Sequence, residues 1–142
     1  MITKKSNEKY VLVLEKGEKL LETITAFAKE NELKGAFLSG IGALEDVELG
    51  YYNLHTKEYQ RKMFDGGDYE LLAVNANLSL KNGEPYVHAH ASIAGEDFKV
   101  YGGHLFEATV AVTAEIFCAP FGAMPVREHD EKIGLDLICK FV

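Results

Sequence analysis

The N-terminal part of the chain carries two different spacings of apolar side chains. Residues 10–14 form an unbroken apolar run that is typical of a β-strand buried on both faces. After Gly17 the apolar positions recur at helical spacing, which predicts one amphipathic α-helix that ends near Asn31. The apolar positions of this helix are Leu20, Leu21, Ile24, Phe27 and Ala28.

The rest of the chain is rich in β-branched and aromatic residues and has turn signals at short intervals. These turn signals are Gly40, Gly42, Gly66-Gly67, Asn82-Gly83 and Gly95. The pattern predicts a mainly antiparallel sheet, and a helix packed on such a sheet gives an α+β fold. No Ser/Gly/Pro-rich linker divides the chain, so we expect one domain over residues 1–142, with residues 1–8 as a flexible N-terminal tail.

Asn82-Gly83 is a strong β-hairpin signal, because both central residues of a type I′ turn need a positive φ. A two-residue loop makes Lys81 face Glu84, and counting outward gives one face on which apolar residues oppose each other. The apolar pairs are Leu78 with Val87, Ala76 with Ala89, Val74 with Ala91 and Leu72 with Ile93. The polar pairs on the opposite face are Asn77 with His88 and Asn75 with His90.

The next turn, around residues 94–97, decides where His104 lies. An odd number of loop residues puts His104 opposite His88, on the face that also carries His90. Gly102 would then lie opposite His90 and leave room for an ion. An even loop sends His104 to the apolar face, unless the two glycines before it form a bulge.

Three histidines on one face of a sheet are a candidate metal site. His88 and His90 are two positions apart, so their imidazoles point the same way, about 6–7 Å apart along the strand. Three histidines with an open fourth position are a ligand set of catalytic zinc, while imidazole also suits copper, nickel and iron. The two histidines of an isolated His-x-His are more often ordinary polar residues on the exposed face of a strand. His104 at a compatible register is what favours the metal interpretation.

Polar residues near these histidines are candidates for hydrogen bonds that fix the imidazole tautomers. They are Asn75, Asn77 and Glu107. An ion with an open position would lower the pKa of a bound water, and Glu107 or Glu115 would then be a candidate general base. The remaining histidines, His55 and His129, lie in charged segments and are expected to be exposed.

Lys and Arg total 15 against 22 Asp and Glu, which gives a formal net charge of −7. This balance argues against a protein that binds the phosphate backbone of nucleic acids, and the only clustered lysines are Lys4, Lys5 and Lys9. We predict no signal peptide and no membrane-spanning segment. Cys118 and Cys139 are expected to be buried free thiols in a reducing cytoplasm.

Several motifs together resemble the plant and prokaryote conserved (PPC) domain family. They are His-Ala-His-Ala-Ser-Ile-Ala-Gly at 88–95, Val-Tyr-Gly-Gly-His-Leu at 100–105, Thr-Val at 109–110, Thr-Ala-Glu at 113–115, Gly-Ile-Gly-Ala-Leu at 40–44, Gly-Tyr-Tyr at 50–52 and Tyr-Glu-Leu-Leu at 69–72. The resemblance covers nearly the whole chain. It implies an antiparallel sheet flanked by helices, assembly as a homotrimer, and one metal ion, usually taken as zinc, on His88, His90 and His104.

Members of this family are commonly described as DNA-binding, since in plants the same domain follows AT-hook segments in nuclear proteins. This sequence shows no Arg-Gly-Arg-Pro hook, and its acidic charge disfavours DNA as a partner. The leading hypothesis is a cytoplasmic, homotrimeric metal-binding protein that holds a small ligand at the ion or a macromolecule on the trimer surface. The alternative is a metal-dependent enzyme that acts on a small polar substrate.

Overall fold

The computed structural model describes residues 1–142 and contains nine β-strands and one α-helix. In chain order these are β1 (Ile2–Ser6), β2 (Lys9–Glu15), α1 (Leu20–Glu30), β3 (Ala36–Asn53), β4 (Glu58–Phe64), β5 (Tyr69–Lys81), β6 (Glu84–Ala94), β7 (Val100–Pro120), β8 (Pro125–Asp130) and β9 (Leu135–Phe141). Strands account for 68% of the residues and the helix for 8%. The expected α+β fold with flanking helices is therefore wrong, and the chain forms a small β-rich fold.

The spacing of apolar residues in the sequence explains why strands are many and helices few. Helical spacing occurs once, and α1 buries the side chains expected of it: Leu20, Ile24, Phe27 and Ala28. From β3 onward, buried residues alternate with more exposed ones, and a period of two specifies strands. The sheet buries its apolar face by curving onto itself and onto α1, so it needs no second helical layer. No helix is long and apolar enough to cross a membrane.

The N-terminal residues form a strand where the sequence predicts a flexible tail over residues 1–8. β1 pairs antiparallel with β2 along its whole length. The α-amino group of Met1 lies 3.2 Å from a carboxylate oxygen of Glu15 and 3.0 Å from one of Glu18. Every residue of β1 is exposed, so no apolar alternation marks this strand in the sequence.

Four strands close into a ring at the centre of the sheet. β3 pairs with β5 and β7, and β6 also pairs with both β5 and β7. β7 is 21 residues long, which lets it contact β6 near its N-terminal end and β2 near its C-terminal end. β1, β2, β4, β8 and β9 lie outside the ring, and only the contact between β5 and β8 is parallel.

The core lies inside the ring and between the ring and α1. In β2, Leu12 and Leu14 are fully buried in this core, whereas Val11 and Val13 are half-buried. The expectation that β2 is buried on both faces is therefore wrong. Its outer face has no helix above it, so the valines on that face stay partly in contact with solvent.

The predicted hairpin between β5 and β6 is confirmed. Lys81 faces Glu84, and the turn residues Asn82 and Gly83 have φ values of 54° and 82°, as a type I′ turn requires. The predicted register holds from the turn as far as Ala73. The polar face of this hairpin therefore carries the two asparagines and the two histidines in the predicted pairs.

A β-bulge at Leu72 ends that register. Leu71, and not Leu72 as predicted, faces Ile93. Leu71 is 2% exposed and Leu72 is 46% exposed, so the bulge turns the first of two adjacent leucines into the core. Both residues are equally apolar, and the sequence therefore contains no signal for which one is turned inward.

Candidate metal centre

The turn between β6 and β7 determines how the histidines face one another. Residues 95–99 join the two strands, and this odd number agrees with the prediction. His104 faces His90, however, so the predicted pairing of His104 with His88 is wrong. The observed register differs from the predicted one by two residues. A shift of two keeps a side chain on the same face of a strand, so all three histidines still share one face.

The backbone before His104 is packed closely against β3. The predicted position of Gly102 opposite His90 is wrong, because His104 takes that position. A Cβ atom on Gly103 would lie 2.6 Å from the carbonyl oxygen of Gly50, which is closer than two such atoms approach in proteins. Glycine at this position therefore allows β7 to lie against β3, and that approach holds His104 in its place.

The imidazoles of His88, His90 and His104 form a compact triangle. Their ring centroids are 5.0 to 5.6 Å apart, and one nitrogen from each ring lies within 4.8 Å of the others. This is a set of three imidazole nitrogen donors of the kind that holds transition metals. The predicted convergence of the three side chains is confirmed.

His104 is the most enclosed of the three. It is 8% exposed, and its ring packs against the rings of Tyr59 and Phe106 at centroid distances of 5.1 and 4.8 Å. Its Nδ1 atom is buried and has no hydrogen-bond partner. Buried polar atoms in folded proteins almost always have a partner, and a coordinated cation would supply one here. The residues present therefore fit a bound metal ion.

Arg127, on β8, is a residue of this site that the sequence analysis did not identify. It is buried, and its guanidinium donates to Ser79 Oγ at 2.8 Å and to the backbone oxygen of Asp136 at 2.9 Å. Its Nη2 atom donates to Asn77 Oδ1 at 2.9 Å and to His88 Nδ1 at 3.2 Å. Three of these acceptors are about forty to fifty positions from Arg127 in the sequence, and the fourth lies across the β8–β9 hairpin. No local sequence motif therefore predicts that Arg127 belongs to the site.

The predicted supporting residues have other partners. Asn77 accepts from Arg127, and Asn75 accepts from Ser39 Oγ at 3.2 Å, so neither hydrogen-bonds to an imidazole. The carboxylate of Glu107 accepts from the backbone N–H groups of three residues, of which two begin α1: Leu21, Glu22 and Ala108. Such acceptance satisfies the free donors at a helix N-terminus. Glu115 faces Val13 and Ile41, away from the histidines.

Burial and nearby cations keep two of the imidazoles neutral. Loss of hydration and then the Arg127 guanidinium lower the pKa of His88 from 6.5 to about 4. Loss of hydration, followed by His90, Arg61 and Arg127, lowers the pKa of His104 to about 4 as well. Neutral imidazole is the form that ligates a metal, so both rings are in the ligating form at neutral pH.

A cavity of about 530 Å³ opens beside the histidines. His88 and His104 lie in its wall, together with the aromatic rings of Tyr59, Tyr86 and Phe106. Its cationic side chains are Arg61, Lys81 and Arg127. Cavities of several hundred Å³ with apolar walls and a few polar groups are typical of small-molecule sites.

The remaining candidate residues of the sequence analysis lie away from this cavity. His55 and His129 are exposed, as predicted. Cys118 is buried, and burial raises the pKa of its thiol to about 11. Cys139 is exposed, so the prediction that both thiols are buried is wrong for this one. It lies on β9, the last strand of the chain, which has no layer above it.

Comparison with protein families gives one match, to the Plants and Prokaryotes Conserved (PCC) domain, over residues 1–122. The chain belongs to this family. The resemblance that the sequence motifs indicated is thereby confirmed. The match ends before β8, so the hairpin of β8 and β9 that carries Arg127 lies outside it.

Solved structures of similar proteins match nearly the whole chain. A candidate DNA-binding protein from Bacteroides thetaiotaomicron is 26% identical, with a TM-score of 0.92, over 96% of this chain and 94% of its own. A metal-containing protein from Archaeoglobus fulgidus is 34% identical, with a TM-score of 0.88, over 99% of both chains. A PPC protein from Pyrococcus horikoshii is 35% identical, with a TM-score of 0.84, over 98% of this chain and 96% of its own. No curated protein matches.

The lowered pKa values of His88 and His104 predict how the stability of the metal-free protein depends on pH. Between pH 6.5 and about 4 these imidazoles are protonated in the unfolded chain and neutral in the folded chain. The unfolded state then binds more protons, so the free energy of unfolding falls as the pH is lowered through this range. Urea denaturation of chelator-treated protein at a series of pH values measures this dependence.

The double variant His88→Asn/His104→Asn should have a shallower pH dependence over the same range, because two of the responsible groups are gone. His55→Asn, which removes an exposed histidine, is the matched control and should leave the slope unchanged. An equal slope in the double variant and the wild type would contradict the prediction.

Proposed function

We propose that this protein is a homotrimeric, cytoplasmic metal-binding protein that holds one zinc ion per chain on His88, His90 and His104. The observation that carries the proposal is the convergence of three imidazoles from two strands around a buried nitrogen of His104 that has no other partner. The Archaeoglobus relative, which is described as metal-containing, supports it. The two free thiols of the chain support a reducing compartment.

The donor set suits zinc in number and type. Zinc takes three histidine nitrogens at about 2.0–2.1 Å and keeps a fourth position for water or a ligand. The ring nitrogens here lie within 4.8 Å of one another, so small rotations of the side chains bring them into ligating distance. When bound, the ion would supply Lewis acidity and a water of lowered pKa at the edge of the cavity.

We expect protein purified without an affinity tag to contain about one transition metal ion per chain. The triple variant His88→Ala/His90→Ala/His104→Ala should contain none, because all three donors are gone. Elemental analysis by mass spectrometry measures both. The control is His55→Ala/His129→Ala, which removes the two exposed histidines and should keep the metal. Wild-type protein without metal would contradict the proposal.

The homotrimer is supported by an apolar area on the outer face of the sheet. Phe37, Ile41 and Phe117 are 52%, 56% and 60% exposed. The strand pairings place them on one face, since Phe117 faces Ser39, which shares a face with Phe37 and Ile41. Contiguous exposed aromatic and aliphatic side chains on a folded domain mark an interaction surface. A second and a third copy of the chain are the partners that the family resemblance implies.

Light scattering at micromolar concentration should give about three times the chain mass of 15.7 kDa. The variant Phe117→Asp should lower the measured mass, because it would bury a carboxylate in the interface. Phe98→Asp is the matched control, since Phe98 is 89% exposed on the loop between β6 and β7 and lies off this face. A monomeric wild-type protein would refute the trimer.

DNA is not part of this proposal. The Bacteroides relative is described as a candidate DNA-binding protein, but this chain carries a net charge of −7. The lysines that cluster in the sequence, Lys4, Lys5 and Lys9, lie on the exposed hairpin of β1 and β2. A trimer would carry three times the negative charge, and the phosphate backbone would be repelled from most of its surface.

A second candidate function is that of a metal-dependent enzyme acting on a small polar substrate. The cavity favours it, because a space of about 530 Å³ reaches His88 and His104 from outside the protein. A screen of small ester, amide and phosphate substrates with zinc-loaded protein tests this candidate. Turnover that disappears in the triple histidine variant would support it, and no turnover with any substrate class would count against it.

A further inference from the structure

The cavity beside the histidines is unusual in the way its charges are distributed. Two of its three carboxylates are already engaged: Glu107 accepts from backbone N–H groups at the start of α1, and Asp136 pairs with Lys81 and His129. The third, Glu22, lies on α1 and also lines the cavity. The guanidinium of Arg127, by contrast, donates to neutral acceptors only and makes no direct ion pair with a carboxylate. The end of the cavity near the histidines therefore carries a buried positive charge that has no ion-pair partner.

Arg61 adds a second guanidinium at the same end. Its carbon Cζ lies 3.7 Å from the centroid of the Phe106 ring, and that ring packs on His104 at 4.8 Å. One N–H of Arg61 donates to the Glu48 carboxylate at 3.3 Å, in a partly exposed ion pair. The remaining N–H groups of the fork are free to bind an anion, and stacking on the ring fixes the plane of the fork.

Metal binding would also change the hydrogen bonds of Arg127. A guanidinium only donates, so His88 Nδ1 accepts the contact from Arg127 Nη2. If His88 ligates a cation through Nδ1, the lone pair is used; if it ligates through Nε2, Nδ1 carries the proton of the neutral ring. In both cases the contact is lost, and one N–H of Arg127 becomes available to another acceptor.

From these contacts we propose that the cavity binds a small organic carboxylate, whose negative charge lies between Arg61 and the Arg127 N–H and whose apolar body packs on the aromatic wall. A planar, two-oxygen acceptor suits the guanidinium fork, and the rings of Tyr59, Tyr86 and Phe106 supply apolar surface. The inference rests on the proposed function in one respect: the metal ion and the carboxylate should favour each other's binding. Reciprocity of this kind is required by thermodynamic linkage.

Calorimetric titration with benzoate tests the proposal, with benzamide as the uncharged analogue of the same shape and inorganic phosphate as a different anion. Zinc-loaded wild-type protein should bind benzoate with a Kd at least about tenfold lower than that for benzamide, since hydrogen bonds to charged groups are stronger than neutral ones. It should also bind benzoate more tightly than phosphate, and chelator-treated protein should bind benzoate more weakly than loaded protein does.

The variant Arg61→Gln should raise the Kd for benzoate about tenfold or more, because the fork is lost. Lys62→Gln is the matched control: Lys62 is the next residue on β4 and does not line this cavity, so the Kd should not change. Arg61 is half-exposed, so its replacement does not disturb the core. Circular dichroism of each variant verifies that it is folded.

The outcomes separate this inference from the metal proposal. If elemental analysis finds the metal but benzoate binds no better than benzamide, or Arg61→Gln binds it as well as the wild type, the carboxylate site is refuted and the metal site stands. Tighter binding of phosphate than of benzoate refutes the carboxylate preference. If no metal is found but benzoate still binds through Arg61, the anion site stands and the metal proposal fails.

Discussion

The alternation of side chains along paired antiparallel strands is the constraint on which both the core and the candidate metal centre depend. Buried side chains alternate with more exposed ones in β5 over residues 73–78, in β6 over residues 87–93 and in β7 over residues 114–118. The same alternation that buries Val87, Ala89 and Ala91 therefore aligns His88 and His90 on the opposite face. A displacement of one residue would bury imidazoles in the core and expose aliphatic side chains, and this cost protects the register of the site.

The ring of strands adds a third histidine, His104, to the face that carries His88 and His90. β6 would be an edge strand in an open sheet, but here it pairs with β5 on one side and with the start of β7 on the other. The long β7 then continues along β3, where the close contact of Gly103 with Gly50 fixes its position. His104 thus belongs to the face of β6 through hydrogen bonds of the backbone, and not through any contact between the side chains themselves.

Arg127 connects the last hairpin to this site. A guanidinium that is buried without an ion pair is costly unless its donors find acceptors. Here four of its five N–H groups reach Ser79, Asn77, His88 and the backbone oxygen of Asp136. These acceptors lie on β5, β6 and β9, so the residue joins three strands as well as acting on the histidines. Loss of hydration on burial and then the charge of Arg127 lower the pKa of His88, which keeps that ring in the ligating form. The same charge would favour an accompanying anion.

Local patterns alone determined the helix, the type I′ turn at Asn82-Gly83 and the polar face of the β5–β6 hairpin, because each depends on residues that are near one another in the sequence. For His104 they left two alternatives, because an odd loop puts it on this face and an even loop puts it on the apolar face. The loop of five residues in the structure decides for the first.

Only the tertiary structure decided which histidine His104 faces, that Leu71 and not Leu72 turns inward, that the exposed N-terminal segment forms a strand, and that Arg127 lies beside His88. The physical reason is the same in each case. The free energy of each feature depends on residues that are distant in the sequence. This holds for a bulge, for an exposed edge strand and for a contact between segments about forty residues apart, so local sequence patterns do not predict them.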